Sequence, residues 1–530
     1  MGFWRAYPLL LAITIVGYND MGGIVANLNA LYLQTHPSTK FKTQLKGTAT
    51  AAPALTLGVS ALAPMGAEFS AMELEAYRAF VGADPVPIRV AHCSLNPRAL
   101  SAPVGIYVND ANPIQNLTPA QVARVFSTGS PEGDITHWGQ LGLKADWAAR
   151  PVHPCGIAEE AAAGLASFML KKMPGRRFTR GYDAFAQSTQ VVQRVREDPG
   201  AIGFASGNIA VPGTRLVTIG DIDLTETNVI SGKYPYDRYL LIYIRRLPGE
   251  PIDPFVREYL HLALSKAGQQ AIASAPPYYL PLNARELTEE RAKLELPSVA
   301  RSHATGKQTA KIALYRLITG MSPYALIDRE IWPLEVRPFR QVYGYEPAGI
   351  RIAHSTQRGV YINAKNPLTD LTIDQVARIF TTGGSNGDIT RWAQLGWTDR
   401  DIHLYGPRDD GTFVSALRHA KMGGFPLARS YEPLSSGTDI MQAVANDPYG
   451  IAIAESHAAK RLSSAVKMLP LADLSSYLTL YVNRAPGKPL DSAMEQYARK
   501  LLSPGGQAKL AGEGYLPLSA NEVADELKKL

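Results

Sequence analysis

Val122, Val125 and Phe126 fall on one face of a 3.6-residue period, and Val376, Ile379 and Phe380 repeat that face in the second half of the chain. Each run follows a Thr (Thr118, Thr372) with Gln three residues later (Gln121, Gln375), the arrangement in which cap and first-turn amides satisfy one another. Leu117 with Val122, and Leu371 with Val376, have the spacing of a hydrophobic staple. The pattern predicts a short amphipathic helix at both places. A polar loop follows each, GDITHW or GDITRW, whose Trp138 and Trp392 are expected to anchor it on the body of the domain. The stretches 113–142 and 367–396 agree at about 18 of 30 positions, too many for chance, so the chain is read as a tandem duplication.

Around these repeats, strand-like runs alternate with helical ones. ITIV reads as a first strand, 21–34 as a helix, FKTQLKG as a strand and ATAAPALTLG as a short helix. IRVAH (88–92) and VGIYVN (104–109) are further strands leading into the repeat, and RPVHPCG is read as the start of a second lobe, continued by a helix at 161–172. QVVQRVREDPGAIGFAS reads as helix, turn and strand, RYLLIYIRR as a strand, and PFVREYLHLALSKAGQQAIAS as two amphipathic helices before YYLPLN. This alternation predicts an α/β fold with helices on the faces of parallel or mixed sheets. A charged helix at 286–295 ends the first copy. The boundaries are therefore a first domain 1–295, a linker 296–305 and a shorter second domain 306–530. The second copy repeats the order with AGIRIAH, GVYIN, DIHLYG, DIMQAVANDPYGIAIAE, SSYLTLYVNR and GYLPLS. It lacks a counterpart of the opening strand and helix, and it alone carries GPRDDGT.

At 530 residues, 46% hydrophobic and 19% charged, the composition is that of a folded chain long enough for several domains. The net charge of +7 favours anions, but Lys and Arg form no long basic run with interleaved aromatics, which argues against nucleic acid. No segment reaches the roughly 20 apolar residues of a membrane-spanning helix. Arg5 and the apolar run 9–16 have the charge and length of a signal peptide, yet no small-x-small site follows. The expectation is a β-strand at ITIV, with the recorded start inside or just after an export signal. Cys93 and Cys155 are the only cysteines, and sequence alone does not decide whether they are bonded.

The order KGTATAAPALTLGVSALAPMGAEFS, LTPAQVARVFSTG, GDITHW, DPGAIGFAS and YLPL resembles the phosphate-type periplasmic solute-binding proteins of ABC transporters over most of 13–290, and the second copy does so over about 305–520. The resemblance implies two tandem type II periplasmic-binding-protein-like domains, each of two α/β lobes joined by a hinge and closing on a small anion. It also implies backbone amides at helix starts, an Arg and hydroxyls as donors, and a carboxylate that accepts a hydrogen bond from protonated phosphate.

Carried onto this chain, the family's Arg-Asp-x-Ser-Gly-Thr loop looks like Arg408, Asp409, Asp410, Gly411 and Thr412, the strongest anion-site candidate; an exposed turn with Thr412 as N-cap is the plain alternative. Arg329 looks retained in SPYALIDRE, where Pro323 stands for the Asp, and Thr309 in GKQT is an upstream donor. In the first copy the matching loop reads Ala158, Glu159, Glu160, Ala161 and Ala162, with two carboxylates and no cation, which disfavours an anion there. That copy keeps Tyr18, Asn19, Asp20 and Met21 as a first loop, with Asp20 a natural N-cap, and Thr48 and Thr50 in a second.

The matched pairs His92 with His354 and His153 with His403 have no carboxylate or Cys at ligand spacing, so no metal and no cofactor is expected, and they read as hinge or cleft histidines. No nucleophile is assembled with a base. The reading is a non-catalytic, exported binding protein, periplasmic or secreted, for phosphate or a related oxyanion, with an ABC permease or a sensor as partner. Its alternatives are a scaffold whose site has degenerated and, more remotely, a phosphoester hydrolase using Arg408, Asp409 and Asp410.

Overall fold

The computed structural model describes residues 12–295 apart from 129, 159–163, 174–177, 180 and 248, and 310–530 apart from 330, 332, 356–357, 383–385, 408–413, 415–416, 419–420, 424, 426, 429, 435–436, 456–463 and 470–476. The chain divides into two compact units, Met1–Gly306 and Lys307–Leu530, each described here by itself.

The first unit contains two five-stranded sheets. One has the order β2-β1-β3-β12-β4, from β1 (Ile13–Gly17), β2 (Phe41–Leu45), β3 (Leu62–Met65), β4 (Val86–His92) and β12 (Tyr239–Ile244). β1 runs parallel to β2 and β3, while β12 is antiparallel to β3 and β4. The other has the order β10-β5-β9-β7-β8, from β5 (Val104–Asn109), β7 (His153–Ile157), β8 (Asp183–Phe185), β9 (Ala201–Ser206) and β10 (Thr214–Leu216). A short pair, β6 (Asn116–Leu117) with β11 (Thr218–Ile219), stands beside it. The chain crosses from the first sheet after β4 and returns just before β12. The crossing segments are tied by Cys93 N to Arg238 O (2.8 Å) and Val104 N to Tyr236 O (2.9 Å), which makes them a two-stranded hinge. The second lobe therefore begins at β5 and not at RPVHPCG, because β5 hydrogen-bonds to β9 and β10 while β4 bonds to β12.

The repeated helices are Pro119–Phe126 and Ile373–Phe380. Both capping boxes form: Gln121 N donates to Thr118 Oγ1 at 3.2 Å and Thr118 N to Gln121 Oε1 at 2.8 Å, with the same two distances at Gln375 and Thr372. Trp138 and Trp392 are fully buried, and their indole N–H groups donate to Gly200 O and Tyr449 O. Each indole thus pins its loop to the Asp-Pro turn before the next strand, Asp198–Gly200 in the first copy and Asp447–Tyr449 in the second. His153 and His403 sit 2.7 and 2.6 Å from Asp198 and Asp447, whose other oxygens accept turn amides, so this histidine pair orients the turn.

In the second unit, a five-stranded sheet has the order β17-β16-β18-β15-β19, from β15 (Arg358–Asn363), β16 (His403–Pro407), β17 (Tyr431–Leu434), β18 (Gly450–Glu455) and β19 (Val466–Leu469). Among the described residues its companion has three strands, β13 (Tyr324–Ile327), β20 (Tyr477–Val482) and β14 (Ala348–His354), counterparts of β3, β12 and β4. Among the described residues, nothing corresponds to β1, β2 or the opening helix Gly22–Leu33. The surface that they would cover has been remade. In the first unit Ala61 N donates to Thr14 O at 3.0 Å, and Asn27 Nδ2 to Ala271 O at 2.9 Å on the helix Lys266–Ala273. The matching positions in the second unit are Pro323, which has no N–H, and Lys509, which is exposed; the nearby Ala275 becomes exposed Glu513. Leu516, the counterpart of buried Leu280, is 46% exposed.

Candidate functional site

In the first unit, the loops after β1, after β2 and after β3 meet the hinge and the start of the second-lobe helix Leu165–Lys172. Tyr18 is buried, and its hydroxyl lies 2.9 Å from Ser101 Oγ; burial raises its pKa. Asn19 is exposed in a single 3-10 turn, and Met21 is a core side chain. Asp20 is no N-cap. The residue capping the opening helix is Met21, with no side-chain bond, and the Asp20 carboxylate accepts from Leu100 N (2.9 Å) and from the Tyr279 hydroxyl. It therefore ties the first loop to the crossing segment and to the end of the unit. Thr48 Oγ1 accepts from Gly66 N at 3.2 Å, whereas Thr50 donates to Gly47 O at 2.8 Å and is consumed by its own turn.

Sequence reasoning passed over Arg238, which was read only as part of a strand. It lies in the returning hinge segment, 6% exposed, and its guanidinium donates to Gly66 O (3.1 Å) and Ala102 O (3.4 Å). A Cβ on Gly164, at φ +97°, would stand 2.6 Å from Ala67 Cβ and 3.0 Å from Arg238 Nη2. Only glycine allows the second lobe to approach this closely. Setting the two copies side by side gives the missed signal, since DRYLLIY faces SSYLTLY and Asp237 and Arg238 stand opposite Ser475 and Ser476.

In the second unit Arg329 is buried, and both Nη atoms donate to Glu335, each at 2.7 Å, with Lys311 Nζ 3.9 Å from the same carboxylate. Burial works against the Arg329 charge, but the Glu335 bonds outweigh it and raise the pKa. The shared hydroxyl turns, Ser60 to Leu62 O and Ser322 to Tyr324 O, set the register between copies. That register places Asp328 opposite Gly66 and Arg329 opposite Ala67, so a carboxylate stands beside Arg329 at the end of β13. Arg408, Asp409, Asp410, Gly411, Thr412 and Thr309 lie outside the described residues.

The hinge histidines belong to a charge cluster present in both copies. His92 is fully buried, with Nδ1 2.6 Å from Asp237 and Nε2 2.9 Å from Glu286. Burial pulls its pKa down, but the two carboxylates outweigh burial and push it up to about 9. Glu286, which also accepts from the Tyr239 hydroxyl, is lowered to about 2. His354, Glu522 and Tyr477 repeat this arrangement with Glu522 as the carboxylate among the described residues, and Arg89 with Glu290 and Arg351 with Glu526 repeat the next layer. Among the described residues, no group of His, Cys, Asp and Glu could hold a metal ion. Cys93 and Cys155 are free, buried thiols, each raised to about 12 by burial.

The two lobes of the first unit, joined by a crossing-strand hinge with loops converging between them, and the matching pair of sheets in the second unit define the type II periplasmic-binding-protein class, present here as a tandem duplication. No family model matches the chain. The phosphate-binding protein PstS of Pseudomonas aeruginosa is 30% identical over 294 residues, which is 54% of this chain and 86% of that protein. The chain belongs to this family of solute-binding proteins. An ABC-type phosphate transport receptor from Vibrio cholerae is 20% identical over 51% of this chain and 99% of its own (TM-score 0.36). A possible phosphate binding protein from Planctomyces limnophilus is 18% identical over 54% and 98% (TM-score 0.32). In the described residues, no helix is long and apolar enough to cross a membrane.

Proposed function

We propose that this chain is an exported, non-catalytic solute-binding protein that captures phosphate or a related small oxyanion and presents it to an ABC-transporter permease or a sensor. The observation that carries this reading is the relation to PstS across 86% of that protein's length. The second copy is the capturing one. The loop 408–412 supplies Arg408, backbone amides and the Thr412 hydroxyl, Thr309 adds a donor, and Asp328 at the end of β13 supplies the carboxylate that accepts a hydrogen bond from hydrogen phosphate. Arg329, clamped by Glu335, contributes positive potential from behind.

Calorimetric titration of the full chain with inorganic phosphate and with sulfate tests the reading. Phosphate should bind, and Arg408→Ala should abolish the heat of the second-copy site. Unchanged phosphate heat in that variant would place capture elsewhere. The absence of heat or thermal shift with any oxyanion would leave the second reading, a ligand-free scaffold. That alternative is favoured by the cation-free 158–162 loop of the first copy.

A further inference from the structure

Within the two repeat loops, one difference falls where the surroundings are otherwise kept. Glu132 precedes Gly133 and Asp134 in the first copy, and Asn386 precedes Gly387 and Asp388 in the second. The frame is shared. Arg124 Nε donates to Gly133 O at 2.8 Å and Arg378 Nε to Gly387 O at 2.9 Å, while Ile135 N and Ile389 N donate to the backbone carbonyls of those arginines at 2.9 and 2.8 Å. The carboxylate has changed place. Arg124 Nη1 meets Glu132 at 3.2 Å, whereas Arg378 Nη1 lies 3.7 Å from Asp374, which stands where the first copy has Ala120. Asn386 Nδ2 donates to that same Asp374 at 3.3 Å.

Asn386–Gly387 is the only Asn-Gly pair in the chain. Asparagine is chemically labile, and its carboxamide carbon is open to attack by the next backbone nitrogen unless a side chain there stands in the way. None does here. Both residues are exposed, Gly387 is at φ +75°, and nothing lies within 4 Å of the place a Cβ would occupy.

We infer that Asn386 is a site of spontaneous deamidation, which turns this position of the second copy into the acidic one that the first copy has at Glu132. The Gly387 nitrogen bonds to Asn386 Cγ and gives its proton to solvent, and the bond from Cγ to the carboxamide nitrogen breaks, releasing ammonia and closing a succinimide. Water then adds to either ring carbonyl and opens it to aspartate or isoaspartate. The product sets a second carboxylate beside Arg378, and Asp374 changes from an acceptor for residue 386 into a like charge.

The test is incubation of the full chain in mildly alkaline buffer, followed by cation-exchange chromatography of the intact protein and mass spectrometry of the tryptic peptide 379–391. An earlier-eluting species should grow with time, its formal charge lowered from +7 to +6 (+7 − 1), and should comigrate with Asn386→Asp. The peptide should gain aspartate and isoaspartate forms, and Asn386→Gln should keep the elution of the fresh protein. An acidic species that grows equally in Asn386→Gln places the chemistry elsewhere and overturns the inference. So does a peptide that stays unconverted in the folded chain, whether or not the same peptide, released by trypsin and held in the same buffer, converts; conversion of the released peptide alone would mean that the fold protects Asn386.

Discussion

His92 is the residue at which the hinge of the first unit is charged. Its imidazole sits between Asp237 and Glu286 with no exposure to solvent, and its pKa of about 9 lies above the ordinary value of 6.5. A group whose pKa is raised by folding stabilises the protein fully below its unfolded value, and that contribution fades as pH climbs through the folded value. Stability of the first unit should therefore fall between pH 6.5 and 9, by an amount on the order of 3 kcal/mol. Urea denaturation midpoints measured across that range should show the slope, and His92→Gln should flatten it. A parent chain whose midpoint does not move between those pH values would contradict the assignment. At this scale the sequence placed His92 correctly beside a hinge strand, but neither carboxylate could be assigned to it, because they lie 145 and 194 residues further along the chain (237 − 92 and 286 − 92).

Among the elements, the instructive contrast is between β3 and β13. Both leave the same hydroxyl-bonded turn, yet β3 is covered by β1 while β13 is an edge of a three-stranded sheet among the described residues. An open edge invites pairing with another chain, and proline or charge there prevents it. Pro323 removes the donor that Ala61 gives to Thr14, and Lys509 and Glu513 polarise the helix face that the opening helix would otherwise cover. Replacing Pro323, Lys509 and Glu513 together by Ala should produce concentration-dependent self-association in sedimentation velocity, with the parent chain as the reference. A variant that sediments like the parent would show that these residues do not protect the edge. The loss of the opening strand and helix was legible from the order of motifs. The reason for Pro323 was not, since it depends on which strand would have been its neighbour.

For the whole molecule, the duplication means that two units of one ancestry carry different charge plans: loop 408–412 in one, hinge Arg238 in the other. The sequence places the junction at 296–305, a stretch that includes Arg301. Brief trypsin treatment is expected to cut there first and release two protease-resistant pieces, as mass spectrometry of the fragments would register. Early cleavage within either unit would argue against the boundary.

Periodicity, caps and order of motifs by themselves determined the duplication, the α/β class, the two capped repeat helices and the shorter second copy, because each depends on contacts within a few residues or on comparison along the chain. Only the tertiary structure decided that the second lobe starts at β5, that Asp20 is a tether and that Arg238 bonds to Gly66 O. Those outcomes turn on which distant side chains are brought within hydrogen-bond reach and removed from water together. No local pattern encodes that.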